Sequence, residues 1–194
     1  MQIFSFWDRG RGHAPRIVQD CFSRWEDLNP GCTLTVLQNE DLPGLLGDFP
    51  FDISLLPVQA RADILRIRLL RQYGGIWTDA TVLPVLPLAM WHERYVAPGG
   101  FFVYCASAEH WRFTNFLILS RPGNHFIAML DERIRQYWTH PRRIVDQTPG
   151  RLQPRSRIGK RLLLHALGHV DKWRSQSLMQ AISMKPRKLS AVLS

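Results

Sequence analysis

The first 37 residues alternate between β-rich and helical segments, and this alternation restricts the fold more than any other feature of the sequence. Residues 3–6 form a short apolar run that is typical of a buried strand, and residues 33–37 are rich in β-branched side chains. Between them, after Pro15, apolar residues recur at helical spacing on one predicted face: Ile17, Val18, Cys21, Phe22 and Trp25. Strand, helix and strand in so short a stretch predict a parallel βαβ unit and therefore an α/β fold.

A second helix is predicted from Val58 to Tyr73, and it leads directly to a glycine pair, a strand and an acidic residue. Its predicted core face carries Ala62, Leu65, Leu69 and Tyr73. We expect Gly74 to be the left-handed C-cap of this helix and residues 76–78 to form the next strand. Asp79 follows the carboxyl end of that strand, which is where ligands bind in open α/β sheets.

The rest of the chain predicts further elements separated by proline and glycine. In chain order they are a loop with at most a short helix (39–57), two strands (101–104 and 115–119) and two helices (124–138 and about 158–170). We expect one domain over residues 1–140 and a basic C-terminal segment, 141–194, that ends in a flexible tail.

Positive charge is concentrated near the C-terminus. The net charge is +9, and residues 142–188 alone contain 12 Lys and Arg against 2 Asp and Glu. Such a segment is suited to anionic lipid head groups, an acidic acceptor or nucleic acid, or it is simply solvated. Because Trp173 is the one aromatic residue among these charges, a base-stacking surface is poorly supported and we predict no nucleic-acid partner.

The sequence favours a cytoplasmic protein. Cys21, Cys32 and Cys105 are odd in number and far apart, a spacing that predicts neither a disulfide framework nor a zinc site. No apolar run approaches the roughly 20 residues of a membrane span, and the first residues lack the features of a secretion signal.

The predicted helix and strand before Asp79 gather acidic and basic side chains. Asp63 and Arg66 are one helical turn apart, and the pair Gly74-Gly75 allows the backbone a tight approach to Asp79. A carboxylate at Asp63 can accept hydrogen bonds from hydroxyl groups, and Arg66 can bind phosphate or sugar oxygens as a planar fork. In isolation, Asp63 and Arg66 would indicate a surface ion pair of well under ~1 kcal/mol, and it is the glycine pair, the strand and Asp79 beside them that favour a functional role.

The same block carries a resemblance to a known family. Residues 59–66 (Gln-Ala-Arg-Ala-Asp-Ile-Leu-Arg) and residues 73–81 (Tyr-Gly-Gly-Ile-Trp-Thr-Asp-Ala-Thr) closely resemble the DXD-containing sugar-transferase group. That group includes bacterial capsular polysaccharide synthesis glycosyltransferases, initiating mannosyltransferases of the yeast type and glucosylating clostridial toxins. The capsular branch is the most similar, because its members often read Asp-Ala-Thr where others read Asp-X-Asp. Segments 6–18 and 121–126 are also similar to that branch.

The resemblance implies an A-type glycosyltransferase fold, with a Rossmann-like nucleotide-binding sheet and flanking helices. It implies a nucleotide-sugar donor, a UDP-sugar above all, and Mn2+ or Mg2+ as cofactor. By position, the catalytic residues would be Asp79, Asp63 and Arg66. Residues expected at the nucleotide sugar are Phe6, Trp7, Asp63, Arg66, Gly75 and Asp79, with Trp7 beside the base. Asn115 would lie on the acceptor side.

The predicted metal ligands are Asp79 and Thr81. Thr81 occupies the position of the second aspartate, and a site with one carboxylate fewer should bind a divalent cation less tightly. His165 and His169, at positions i and i+4 of the predicted last helix, could replace the missing ligand, or they could be solvated.

The predicted function is therefore a metal-assisted, retaining transfer of a sugar to a polysaccharide or glycoconjugate acceptor. A glycan or lipid-linked glycan acceptor at the inner membrane face would suit the basic segment, which could contact anionic lipid peripherally. The alternative is a non-catalytic relative that binds a nucleotide sugar or a partner. A nucleic-acid-binding protein is a third class, and it rests on the basic segment alone.

Overall fold

In a computed structural model of the chain, which describes residues 1–105 and 113–139, five strands form one mixed sheet with helices on both faces. The strands are β1 (Gln2–Phe6), β2 (Thr33–Leu37), β3 (Gly75–Thr78), β4 (Phe101–Cys105) and β5 (Phe113–Ser120). The helices are α1 (Arg16–Leu28), α2 (Leu42–Leu46), α3 (Val58–Tyr73), α4 (His92–Val96) and α5 (His125–Trp138). Short 3-10 turns cover Arg11–His13, Asn39–Asp41, Ile53–Leu55 and Leu88–Met90.

The strand order is β2-β1-β3-β5-β4. Strands β1, β2 and β3 run parallel, whereas β5 is antiparallel to both of its neighbours, β3 and β4. The parallel part contains the βαβ unit that the first 37 residues predict, with α1 as its crossover. The predicted α/β class is therefore confirmed, and the sheet is mixed because β5 enters beside β3 in the opposite direction.

Two sets of helices cover the two faces of the sheet. On one face, α3 and α5 bury the main core, which includes Phe4, Leu65, Leu69, Trp77, Ile118 and Leu130. On the other face, α1 and α4 cover two smaller clusters, one around Ile3, Trp25, Ile76 and Leu119 and one around Val18, Phe22 and Ala80. The central parallel strands β1 and β3 are thus buried on both faces, as parallel strands of α/β proteins usually are.

Helix α3 has the predicted bounds, but its end differs from the prediction in two respects. Gly74 has φ 66° and ψ −157°, so its φ is positive but it is not in the left-handed helical region. A Cβ at this position would lie 2.5 Å from the main-chain nitrogen of Pro122. Tyr73, predicted to be a core residue, is 46% exposed. Its ring still contacts Phe4, with a centroid distance of 5.9 Å.

Helix α1 buries a narrower stripe than its periodicity predicts. Val18, Cys21, Phe22 and Trp25 are buried, whereas Ile17 is 73% exposed. Successive helical residues are about 100° apart, so the covered stripe includes Val18 and excludes its neighbour. Cys21 and Cys32 are free thiols.

Within residues 1–105 and 113–139, no helix is long and apolar enough to cross a bilayer. The predicted helix at about 158–170, with His165 and His169, lies outside the described residues, as does the whole basic segment with Trp173. The predicted division of the chain near residue 140 stays a prediction.

Candidate active site

Asp79 is the first residue after β3, and the main chain around it is held from two sides. Its amide donates to the carbonyl oxygen of Phe116 at 2.7 Å, and its carbonyl oxygen accepts from the amide of Val82 at 3.0 Å. The indole Nε1 of Trp25, on α1, donates to the carbonyl oxygen of Val82 at 3.0 Å. The Asp79 side chain is 37% exposed, so a carboxylate with a fixed backbone faces solvent at the carboxyl edge of the sheet.

The guanidinium of Arg66 joins two carboxylates at this edge. Its Nη2 lies 3.1 Å from Oδ1 of Asp63 and 3.3 Å from Oδ1 of Asp79. Its Nη1 donates to the main-chain oxygen of Asn115, and its Nε donates to that of Ala62 at 3.3 Å. Because the Arg66 side chain is only 5% exposed, its orientation is set by these contacts within the protein.

Asn115, on β5, completes the contacts around Asp63. Its Nδ2 donates to Oδ1 of Asp63 at 2.9 Å, while its carbonyl oxygen accepts from Arg66. The structure therefore brings Asp63, Arg66, Asp79 and Asn115 together, although they belong to α3, to the end of β3 and to β5. We refer to these four residues as the Arg66 cluster.

Trp77 belongs to the same arrangement, and the sequence reasoning missed it. Its Nε1 donates to Oδ1 of Asp79 at 2.9 Å, and Cζ of Arg66 lies 5.1 Å from the centre of its ring system. A signal was present, because residues i and i+2 of a strand point to the same face, and Trp77 is two residues before Asp79.

The electrostatics of the Arg66 cluster favour a positively charged ligand. Two carboxylates face one guanidinium, so the cluster is negative when both acids are ionised. Burial raises the pKa of Asp63, and the neighbouring charge of Asp79 raises it further, against the opposing effects of Arg66 and of the Asn115 hydrogen bond. A cation close to Asp63 would favour the ionised form of its carboxyl group.

One carboxylate oxygen of the cluster has no hydrogen-bond donor among the described residues and is the candidate ligand for a divalent cation. Oδ1 of Asp79 accepts from Trp77 and Arg66, whereas Oδ2 accepts no hydrogen bond from the part of the chain that the structure describes. In that same part, no three His, Cys, Asp or Glu side chains come together as a metal cluster. Mg2+ and similar ions often bind to proteins through one or two carboxylates, with water and ligand phosphates as the remaining ligands. Oδ2 of Asp79 fits this mode of binding.

Phe6 and Trp7 leave the sheet at the same edge as Asp79, because β1 and β3 are parallel neighbours. Phe6 is 6% exposed and belongs to the main core. Trp7 is partly buried, and its ring packs against the cluster that contains Ala80, the residue after Asp79. The ring of Trp7 is therefore partly accessible at this edge, whereas the ring of Phe6 is covered.

Gly75 and Thr81 lie outside the Arg66 cluster. Gly75 is at the amino end of β3, at the opposite end of the strand from Asp79, and its φ is 92°. A Cβ there would lie 2.5 Å from the carbonyl oxygen of Gln2, so packing within the sheet already requires glycine. Thr81 is exposed, two residues beyond Asp79. The structure gives neither residue a contact with the cluster, and their predicted ligand roles stay predictions.

Comparison with known proteins supports the resemblance that residues 59–81 carry. The model of a family described as "Capsular polysaccharide synthesis protein" matches residues 1–147. The chain is also similar to "Putative glycosyltransferase HOC1" of Saccharomyces cerevisiae, with 24% identity over 153 residues, 68% of this chain and 38% of that protein. The chain thus spans less than two-fifths of the length of this yeast relative.

Among solved structures, the chain is similar to one titled "PaToxG Glycosyltransferase". The TM-score is 0.51 at 14% sequence identity, and the match covers 93% of this chain and 72% of the other. This similarity confirms the predicted glycosyltransferase fold. Since the family model matches well over half of the sequence, the chain belongs to the capsular polysaccharide synthesis protein family.

Proposed function

We propose that this protein is a glycosyltransferase that moves a sugar from a nucleotide-diphosphate sugar, a UDP-sugar in the first place, to a glycan or lipid-linked glycan. The observation that carries the proposal is the bridging of Asp63 and Asp79 by Arg66 at the carboxyl edge of the sheet. The family to which the chain belongs, and its glycosyltransferase fold, support the interpretation of this cluster as a sugar-transfer site.

Asp63 and Arg66 have separate proposed roles in the reaction. Asp63, which is held by Arg66 and Asn115, would accept hydrogen bonds from hydroxyl groups of the donor sugar. Arg66 would keep the two carboxylates at a fixed separation, and its positive charge would lie close to the negative charge that develops on the leaving diphosphate. A cluster whose parts are already held in place needs little reorganisation when the reaction occurs, which is the main source of electrostatic catalysis.

A divalent cation is proposed as the cofactor, held by Oδ2 of Asp79 and, as the second candidate, by the hydroxyl of Thr81. Bound Mn2+ or Mg2+ would supply positive charge opposite the leaving diphosphate. Trp7 is proposed to stack on the nucleotide base, because its partly buried ring lies at the same edge. Retention of configuration is proposed from the resemblance alone.

The test is a screen of UDP-sugars for release of UDP, with Mn2+ or Mg2+, in the presence and absence of glycan acceptors. Asp79→Asn should abolish release and leave the unfolding temperature within a few degrees of wild type, because Asp79 is partly exposed at the end of a strand. Asp20→Asn is the matched control. It removes a carboxylate from an exposed ion pair with Arg16 and should leave release unchanged. Normal release by Asp79→Asn would refute the assignment of the site.

A non-catalytic sugar-nucleotide-binding protein is the second candidate, and the exposure of Thr81 outside the cluster favours it. Such a protein would bind UDP or a UDP-sugar in calorimetry and show no turnover with any donor and acceptor tested. Turnover with a single donor would exclude this candidate.

Peripheral contact with an anionic membrane, on its cytoplasmic face, is proposed as the way to reach a lipid-linked acceptor. Two observations support it. Segment 142–188 is rich in basic residues, and four apolar side chains that follow Asp79 within a few residues are exposed: Leu83, Val85, Leu86 and Met90. Sedimentation with anionic vesicles at low salt, and its loss with zwitterionic vesicles, would support the contact. Equal binding to both, or to neither, would refute it.

A further inference from the structure

Trp77 contacts both charged partners at the centre of the site, yet it is 1% exposed and belongs to the main core. We propose that Trp77 is a positioning residue, which orients Asp79 through its indole N–H and Arg66 through its ring. This inference rests on the proposed glycosyltransferase function, since it concerns how the carboxylate of Asp79 is presented to the donor and its cation.

The indole N–H has a definite acceptor. A buried indole N–H costs free energy unless it is hydrogen-bonded, and that of Trp77 donates to Oδ1 of Asp79 at 2.9 Å. A hydrogen bond to an ionised carboxylate is stronger than one between neutral groups. The indole therefore holds one named oxygen of Asp79.

The guanidinium of Arg66 packs over the ring of Trp77. Cζ of Arg66 is 5.1 Å from the ring centre, which is within the ~6 Å range of cation–π interactions. The main chain of Trp77 is itself fixed, because its neighbours across the sheet are Phe4 on β1 and Ile118 on β5. One rigid side chain in the middle of the sheet thus sets the positions of a cation and of an anion.

The two carboxylate oxygens of Asp79 therefore differ in their contacts. Oδ1 accepts from Trp77 at 2.9 Å and from Arg66 at 3.3 Å, and Oδ2 of this 37% exposed side chain accepts no hydrogen bond from the described residues. The terminal torsion of an aspartate is broad, so without these donors the carboxylate would rotate more freely. Loss of the indole N–H should therefore reduce the fraction of molecules with a productive Asp79, which lowers kcat more than it changes the KM for the donor.

The experiment compares Trp77→Phe with Trp138→Phe. Both residues are buried in the same core cluster, and the Nε1 of Trp138 has no hydrogen-bond partner in the described part of the chain. Both variants exchange an indole for a smaller ring. Trp77→Phe should lose more stability in thermal unfolding, because it also removes a hydrogen bond, whereas Trp138→Phe removes an N–H that has no partner among the described residues. Only Trp77→Phe removes an N–H from Asp79. We expect its kcat to fall about tenfold or more, which corresponds to the loss of one hydrogen bond in the transition state, and its donor KM to change less than about threefold.

The outcomes separate the two proposals. If wild type shows turnover and Trp77→Phe keeps the kcat of Trp138→Phe, a positioning role is refuted while the glycosyltransferase proposal stands. If wild type shows no turnover with any donor, the glycosyltransferase proposal fails instead.

A measurement without turnover then tests the contact directly. In 15N-labelled protein, the indole signal of Trp77 is identified by its absence from Trp77→Phe. In Asp79→Ala this signal should move upfield and exchange faster with solvent, while the indole signal of Trp25, which donates to Val82, stays in place. An unmoved Trp77 signal would overturn the inference, whatever the activity.

Discussion

Replacement of Arg66 by methionine should be one of the most damaging single substitutions in this protein. The change keeps an unbranched side chain of similar length and removes the cation from between Asp63 and Asp79. Asp63, whose side chain is only 17% exposed, would then lose the cation that opposes its raised pKa, and it must either stay ionised without a partner or take up a proton. Breaking a buried ion pair from one side costs about 3–5 kcal/mol, because the remaining ion stays desolvated. We expect a loss of this size in the free energy of unfolding.

The structure offers a control that separates burial from distance. Arg11 and Glu26 form a shorter ion pair, with an Nη1–Oε1 distance of 2.6 Å, but their side chains are 41% and 43% exposed. Exposed pairs contribute about 0–1 kcal/mol, so Arg11→Met should cost far less than Arg66→Met despite the shorter distance. If the distance between the charged atoms set the loss of stability, Arg11→Met would cost more than Arg66→Met.

Urea unfolding followed by circular dichroism, at neutral pH with EDTA, measures both losses by linear extrapolation. The double variant Arg66→Met/Asp63→Asn provides the internal test. Without the stranded charge, it should be more stable than Arg66→Met alone by about 1–3 kcal/mol. The reasoning is refuted if Arg66→Met costs no more than Arg11→Met, or if the double variant recovers nothing.

Three further predictions follow from individual residues. The pKa of Asp63 is raised, mainly by burial, so the folded state binds this proton more tightly than the unfolded state. The stability of wild type relative to Asp63→Asn should therefore fall as the pH rises from about 4 through the raised folded pKa, which urea titrations at several pH values will check. Gly75→Ala places a Cβ 2.5 Å from the carbonyl oxygen of Gln2, at a φ of 92°, and should lower the free energy of unfolding by about 1–3 kcal/mol. Gly12→Ala is the control, because a Cβ there meets nothing within 4 Å; it should change the free energy of unfolding by no more than about 0.5 kcal/mol in the same assay. Thr81→Asp should tighten Mn2+ binding, counted by electron paramagnetic resonance of the free ion, and unchanged affinity would place Thr81 outside the metal shell.

Local patterns predicted the elements well because their causes are local. The bounds of α3 agree with the prediction from its apolar periodicity and from Gly74 after it. The predicted burial of Ile17 and Tyr73 is wrong, although the helical periodicity is correct. The error lies in the width of the helix face that the rest of the protein covers. That width depends on what packs against the helix, and one helical segment contains no information about its neighbour.

Local patterns along the chain are enough to predict the α/β class, the helix–strand unit that leads to Asp79, and the closeness of Asp63 to Arg66, since residues three apart on a helix always share a face. The packed sheet is needed to show that β5 lies antiparallel beside β3, that Asn115 therefore reaches Asp63, and that Trp77 and Arg66 meet at Asp79. Asn115 is 52 residues from Asp63 in the chain. Contacts over such a separation are set by which strand pairs with which and in what register, and this is a property of the whole packed sheet.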